Sequence, residues 1–200
     1  MRYLLLVLAV CFLAACDDEN PGNNPDAAGH HHTLPQTAPT TVHTLATSNL
    51  GDSATQTLMN MVNRYYALKN AFVATNAAQV RETAGFVTLS ADSLRILLAA
   101  DPAKQALKPF LDTIVQKSIL IAAAQDESCE KQRILFELVS NNIYRLLKGA
   151  EVKNSGVYHE FCPMAFNEKG AFWLSNDPDI KNPYFGKKML ECGEVTDSLK

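Results

Sequence analysis

Between Leu58 and Leu146, apolar residues recur every three or four positions in four successive runs separated by polar or proline-bearing breaks. A spacing near 3.6 gathers such residues on one face of a helix, so each run predicts an amphipathic helix with a buried stripe. Leu58, Met61, Tyr65, Leu68 and Phe72 form the first stripe, which breaks near Thr75-Asn76. Val80, Ala84, Val87, Ala91, Leu94 and Leu98 form the second. Asp101-Pro102 ends it, because proline disfavours helix in the residue before it. The third uses Leu107, Leu111, Ile114, Ser118 and Ile121, with Pro109 tolerable only near the helix start. Cys129, Gln132, Phe136, Val139, Ile143 and Leu146 make the fourth, which stops at Gly149, a natural C-cap. Four such helices within residues 51–150, joined by short connections, predict a mostly α fold: an antiparallel up-down four-helix bundle. Each stripe is read as core, Met59, Met61 and Tyr65 mark no ligand site, and Cys129 is a buried small hydrophobe.

After Lys153 the helical period disappears. Val157 to Phe161 and Ala171 to Leu174 predict two short strands joined by a turn at Asn167-Glu168-Lys169-Gly170. Ser175-Asn176-Asp177-Pro178 has the capping residues and first-turn proline of a short helix, and Asn182-Pro183 with Gly186 is turn punctuation. Residues 151–200 are therefore a small hairpin- and turn-rich C-terminal segment of a single domain spanning 51–200.

The other end of the chain has a different logic. Arg2, an apolar run from Leu4 to Leu13 and then Leu13-Ala14-Ala15-Cys16 describe an export signal over residues 1–15. The run is too short for a bilayer span, which takes about 20 residues. Leu-Ala-Ala-Cys resembles the lipobox of bacterial lipoproteins, which implies cleavage before Cys16, acylation of Cys16 and a membrane-anchored product. Asp17-Asp18-Glu19 resembles lipoprotein sorting signals that different bacteria read in opposite ways, so periplasmic and cell-surface locations both stand. Residues 16–50 are rich in Pro, Gly, Asn, Thr and Ala and poor in large apolar side chains, a composition that predicts a lipidated flexible tether. It carries His30-His31-His32 and His43, a tract that either recruits metal or is simply polar linker. Removal of Arg2 leaves 17 Lys+Arg against 21 Asp+Glu, an acidic balance that argues against a nucleic-acid partner.

The residues with most chemistry lie in the C-terminal segment: Cys162-Pro163-Met164 and Met189-Leu190-Glu191-Cys192, from a chain with five Cys and five Met in all. Thiolate and thioether sulfurs are soft donors that select Cu(I), whereas zinc rarely takes a thioether. On an extended segment Cys162 and Met164 share a face, and on a helix Met189 and Cys192 share a side. The Asn182-Pro183 turn could fold the second pair onto the first. His159 is an outside candidate, because a strand continuing to Cys162 points it to the opposite face. The competing reading is a Cys162–Cys192 disulfide formed after export, worth roughly 3–4 kcal/mol, with both methionines as core fillers.

These strings carry a resemblance. Tyr158-His159-Glu160-Phe161-Cys162-Pro163-Met164-Ala165, Trp173-Leu174-Ser175 and Ile180 to Gly193 resemble a bacterial domain family of unknown function, as do Tyr66 to Phe72 and Gln132 to Phe136. The likeness runs from about Leu58 to Leu199. That family occurs as stand-alone lipoproteins and appended to periplasmic adaptor (membrane-fusion) subunits of copper and silver efflux pumps. The resemblance implies a context of copper export, with Cys162, Met164, Met189 and Cys192 at the matching positions and copper-efflux components as partners. No adaptor hairpin or barrel accompanies the domain here, which favours a chaperone, scavenger or sensor over a structural role in a pump.

An enzyme is not expected. Cys162 as nucleophile with His159 as base lacks a third orienting residue, and catalytic Cys and His partners are usually distant in sequence. A phosphate-cradling Gly-rich loop, an H-E-x-x-H helix and a C-x-x-C-H haem site are all missing from the sequence. The expected function is a Cu(I)- or Ag(I)-binding lipoprotein. Its alternative is a non-enzymatic interaction module stapled by a Cys162–Cys192 disulfide.

Overall fold

The computed structural model describes residues 46–200; the predicted export signal, Cys16, the acidic run and His30, His31, His32 and His43 lie outside the described residues. Four helices run in order: α1 (Asp52–Ala74), α2 (Ala77–Leu98), α3 (Lys108–Ala123) and α4 (Glu130–Gly149). The sheet follows, built from β1 (Val157–Cys162), β2 (Ala171–Ser175) and β3 (Glu194–Leu199). Thr47 pairs with Lys153 through two backbone hydrogen bonds, of 3.1 and 2.9 Å, so the last residues of the segment predicted as tether are held to the fold. Among the described residues, no helix is long and apolar enough to cross a membrane.

Every apolar residue of the four predicted stripes is buried. Consecutive helices pack on one another, α1 on α2, α2 on α3 and α3 on α4. The first and last helices meet through large rings instead. Tyr65 stacks on Phe136 with centroids 5.3 Å apart, and Phe72 lies 4.7 Å from the same ring. Full burial of side chains this large contributes roughly 1.5–3 kcal/mol each. The polar tip of Tyr65 is accounted for by a relay. Ser140 Oγ donates to the Phe136 carbonyl (2.9 Å), so Tyr65 Oη donates to Ser140 Oγ (2.7 Å) and accepts from the Leu174 N–H (3.0 Å). This chain of bonds ties β2 to both helices without leaving a buried hydroxyl unpaired.

Helix ends depart from expectation in two places. Gly149 does not cap α4: it is still helical, and Glu151 at φ 53° takes the left-handed position beyond it. The absence of a Cβ at Gly149 serves packing, since one would lie 2.8 Å from Leu107 Cδ2. Cys129 is buried as expected but precedes α4 rather than lying on it, with a left-handed φ of 61°. The α4 N-terminus is capped from further back, by Asp126 Oδ2 accepting from Lys131 N (2.9 Å).

The C-terminal segment is a three-stranded antiparallel sheet in the order β2-β1-β3, not a two-stranded hairpin. The additional strand, Glu-Val-Thr-Asp-Ser-Leu, is a mostly exposed edge strand and lacks the apolar alternation that marks buried strands. The link between β1 and β2 is a distorted turn in which Phe166, Asn167 and Glu168 all take left-handed backbone. No helix forms at 175–178. Ser175 Oγ accepts from Asp177 N and Asp177 Oδ1 from Asp179 N, both at 3.1 Å, so the would-be capping groups close local turns instead.

Candidate functional site

Because β1 is central, its last residue lies where three pieces of chain converge. Cys162 is fully buried there, near Tyr184, whose ring packs with Trp173 (5.9 Å) and Phe166 (5.3 Å). The β1–β3 ladder pairs Phe161 with Glu194, so the chain just before β3 runs past the end of β1 and brings Cys192 to Cys162. The two thiols are near enough for Cys162 to perturb the titration of Cys192. Burial, and then the adjacent Cys162 thiol, pushes Cys192 up to about 11, against a smaller opposite pull from the Met164 backbone N–H. All described cysteines are free thiols.

The loop that delivers Cys192 is organised by Asn182, which sequence reading treated only as turn punctuation. Asn182 is fully buried; its Nδ2 donates to the Cys192 carbonyl (2.7 Å), and its Oδ1 accepts from Tyr184 N (2.7 Å) and Phe185 N (3.2 Å). Its own N–H bonds the Leu190 carbonyl at 2.8 Å. An Asn followed by Pro183 and the aromatic pair Tyr184-Phe185 was the available signal.

The backbone around the two methionines differs from the predicted one. β1 stops at Cys162, and Met164 has helical backbone in the following turn, so the shared face of an extended segment does not exist. Met164 is 48 % exposed. Met189 is half-buried and lies on no helix; a Cys192 N–H to Met189 carbonyl bond (3.2 Å) relates the two through a turn. His159 falls on the opposite face, as strand alternation predicts, sandwiched between Tyr144 (3.8 Å) and Phe172 (4.6 Å). Among the described residues, no group of three or more His, Cys, Asp or Glu side chains gathers at one point, so the two cysteines have no third donor of these types beside them.

Gly193 lets the Cys192 segment lie flat on β1. Its φ is +147°, and a Cβ would stand 2.7 Å from Trp173 Cη2 and 2.9 Å from the Phe161 carbonyl oxygen. Gly193→Ala is therefore expected to destabilise the fold by about 1–3 kcal/mol, read as a lower midpoint in urea unfolding. An unchanged midpoint would show that this close approach is absent in solution.

Comparison with known proteins finds a DUF3347 domain, described as a protein of unknown function, at residues 61–155. The match covers most of α1 and the whole of α2, α3 and α4; the sheet, Cys162 and Cys192 lie beyond it. No curated protein and no solved structure matches the chain.

Proposed function

We propose that this chain is a membrane-anchored lipoprotein, held by Cys16 on the periplasmic or cell-surface side, that binds a soft monovalent ion, Cu(I) or Ag(I), in copper tolerance. It acts as a chaperone, scavenger or sensor and catalyses no reaction. The observation that carries the reading is the adjacency of Cys162 and Cys192, which come from strings thirty residues apart and meet as free thiols. Two thiolates are a sufficient anchor for a soft ion, and thioethers from Met164 and Met189 are the same class of donor. The donor set fits copper in its reduced state better than zinc, which would look for further thiolates or imidazoles. One side of the pair is buried against aromatic rings and the other reaches solvent beside Met164, an arrangement suited to taking up an ion and releasing it. Copper-efflux components are the partners that such a role implies.

Anaerobic competition of the reduced full chain against a chromophoric Cu(I) chelator tests this. One ion per chain is expected to be held against the chelator, with retention lost in the Cys162→Ser, Cys192→Ser double variant. Equal retention by the double variant would dispose of the site. The same adjacency supports a second reading, a structural disulfide in an interaction module. Intact mass under non-reducing conditions, with and without copper, separates the two, because a cross-link that persists in the presence of copper leaves no thiolates for the ion.

A further inference from the structure

A cleft of about 400 Å³ opens between α4 and the sheet face opposite Cys162. Its wall is a ladder of rings: Tyr144 on His159 at 3.8 Å, His159 on Phe172 at 4.6 Å, and Phe172 on Phe161 at 4.5 Å. His159 is only 9 % exposed, and both faces of its imidazole are covered, so what it offers the cleft is an edge. Thr196 fixes which edge. The Thr196 hydroxyl donates its single proton to the His159 carbonyl oxygen (2.9 Å), and its oxygen also lies 3.0 Å from Nδ1. Nδ1 must then be the donor in the second bond, so the ring proton resides there. Burial holds the His159 pKa below its ordinary value, which keeps the ring neutral near pH 7 and leaves Nε2 with a bare lone pair. Nε2 has no hydrogen-bond partner among the described residues. The nearby Asp197 carboxylate is taken up by Tyr144 Oη (2.5 Å), Lys148 Nζ (3.4 Å) and Ser198 N (2.8 Å).

The rim adds charge. Arg145 of α4 and Lys169 of the β1–β2 turn line the cleft, and among the described residues neither has an ion pair. The single acid lining it, Glu137, accepts from Asn141 Nδ2 at 2.5 Å. A neutral, tautomer-fixed acceptor in the wall, half-buried phenyl rings beside it and unpaired cations above define a ligand by its complement. We propose that this cleft binds a small aromatic carboxylate bearing an N–H or O–H donor. The carboxylate meets Arg145 and Lys169, the ring lies against Phe161 and Phe172, and the donor reaches His159 Nε2. The volume falls in the range of small-molecule pockets, roughly 300–1,000 Å³. A metal is a poorer occupant, since no cluster of His, Cys, Asp or Glu ligands surrounds the imidazole among the described residues. The site is independent of the sulfur pair, which lies on the other face of the sheet.

The test is titration of the full chain, with ¹⁵N-labelled histidine, by indole-3-acetate, 1-methylindole-3-acetate and indole. In the free protein the ring is expected to show its proton on Nδ1 and an unprotonated Nε2. Indole-3-acetate should shift Nε2 saturably. Removing its donor by methylation, or its carboxylate, should each weaken binding about tenfold, the worth of one hydrogen bond to a neutral group or one charge-assisted pair. Arg145→Gln, an exposed position, should cost indole-3-acetate about tenfold and leave indole unaffected. Equal affinity for all three probes, no saturable Nε2 shift, or a free ring with its proton on Nε2 would each overturn the proposal.

Discussion

Arg133→Met is expected to destabilise the protein by about 3–5 kcal/mol, because buried neutral acceptors that lose their donor cost roughly 1–3 kcal/mol each. Arg133 is 7 % exposed and its guanidinium joins three parts of the fold. Nη2 donates to the Phe72 carbonyl (3.1 Å) and Thr75 Oγ1 (2.9 Å) at the C-terminus of α1. Nη1 donates to the Ser128 carbonyl (2.7 Å) ahead of α4, and Nε to the Pro183 carbonyl (2.8 Å) in the loop carrying Cys192. Burial depresses the Arg133 pKa, so part of the gain from these bonds is spent on desolvation. Methionine keeps much of the aliphatic volume but removes a donor from each of four oxygens, of which the Phe72 carbonyl keeps the Thr75 N–H (3.0 Å). Arg133→Lys should rescue little, because an ammonium cannot span acceptors arranged around a planar fork. The measurement is the urea midpoint at constant slope. A loss under about 1 kcal/mol would mean that water replaces the guanidinium and that the three segments are held by their apolar contacts alone. In that event Cys192 should also label with thiol reagents no faster than in the parent.

Arg133 also shows why some of this fold was legible in sequence and some was not. The stripes Leu58 to Phe72 and Val80 to Leu98 announce themselves because burial on a helix leaves a periodic record. The record names faces, not partners. Nothing in Gln-Arg-Ile-Leu-Phe indicates that its arginine points inward to the carbonyls of Phe72 and Pro183, since those acceptors are main-chain atoms of any residue type. The same applies to Asn182, whose backbone partnerships shape the Cys192 loop. The edge strand β3 was hidden for the opposite reason: it is held by backbone pairing to β1 and buries little, so selection on its side chains leaves no alternation. At the sulfur site, spacing correctly separated His159 from Cys162 because strand alternation is rigid. It failed for Met164, because whether a strand ends at Cys162 or two residues later is decided by the left-handed turn at Phe166 to Glu168, which has no glycine to announce it.

The second large effect comes from an acid on the same strand face as Cys162. Glu160 is fully buried, and neither carboxyl oxygen has a hydrogen-bond partner among the described residues; the indole N–H of Trp173 and the Tyr66 hydroxyl beside it are also unpaired. Burial pushes the carboxyl up to about 7, opposed by the charge of Lys69 and by the indole dipole of Trp173. Lys69, itself 2 % exposed and lowered by burial, makes no ion pair with it within 4 Å. A carboxyl that titrates higher when folded than unfolded favours its protonated form in the fold. Its penalty is absent below the unfolded value near 4.5, grows as pH rises toward about 7, and is complete above that. A shift of this size corresponds to about 3 kcal/mol. Glu160→Gln, which stays neutral, should therefore stabilise the protein by about 2–3 kcal/mol at pH 8 and by almost nothing at pH 4.5. Taking the difference between variant and parent removes the other titrations, including the depressed carboxyls of Asp126, Asp177 and Asp197, whose stabilisation is lost in acid in both proteins alike. A difference that stays flat between pH 5 and pH 8 would show that Glu160 keeps its charge in the fold, and the buried polar cluster around Tyr66, Lys69 and Trp173 would then have to solvate a full carboxylate rather than a neutral acid.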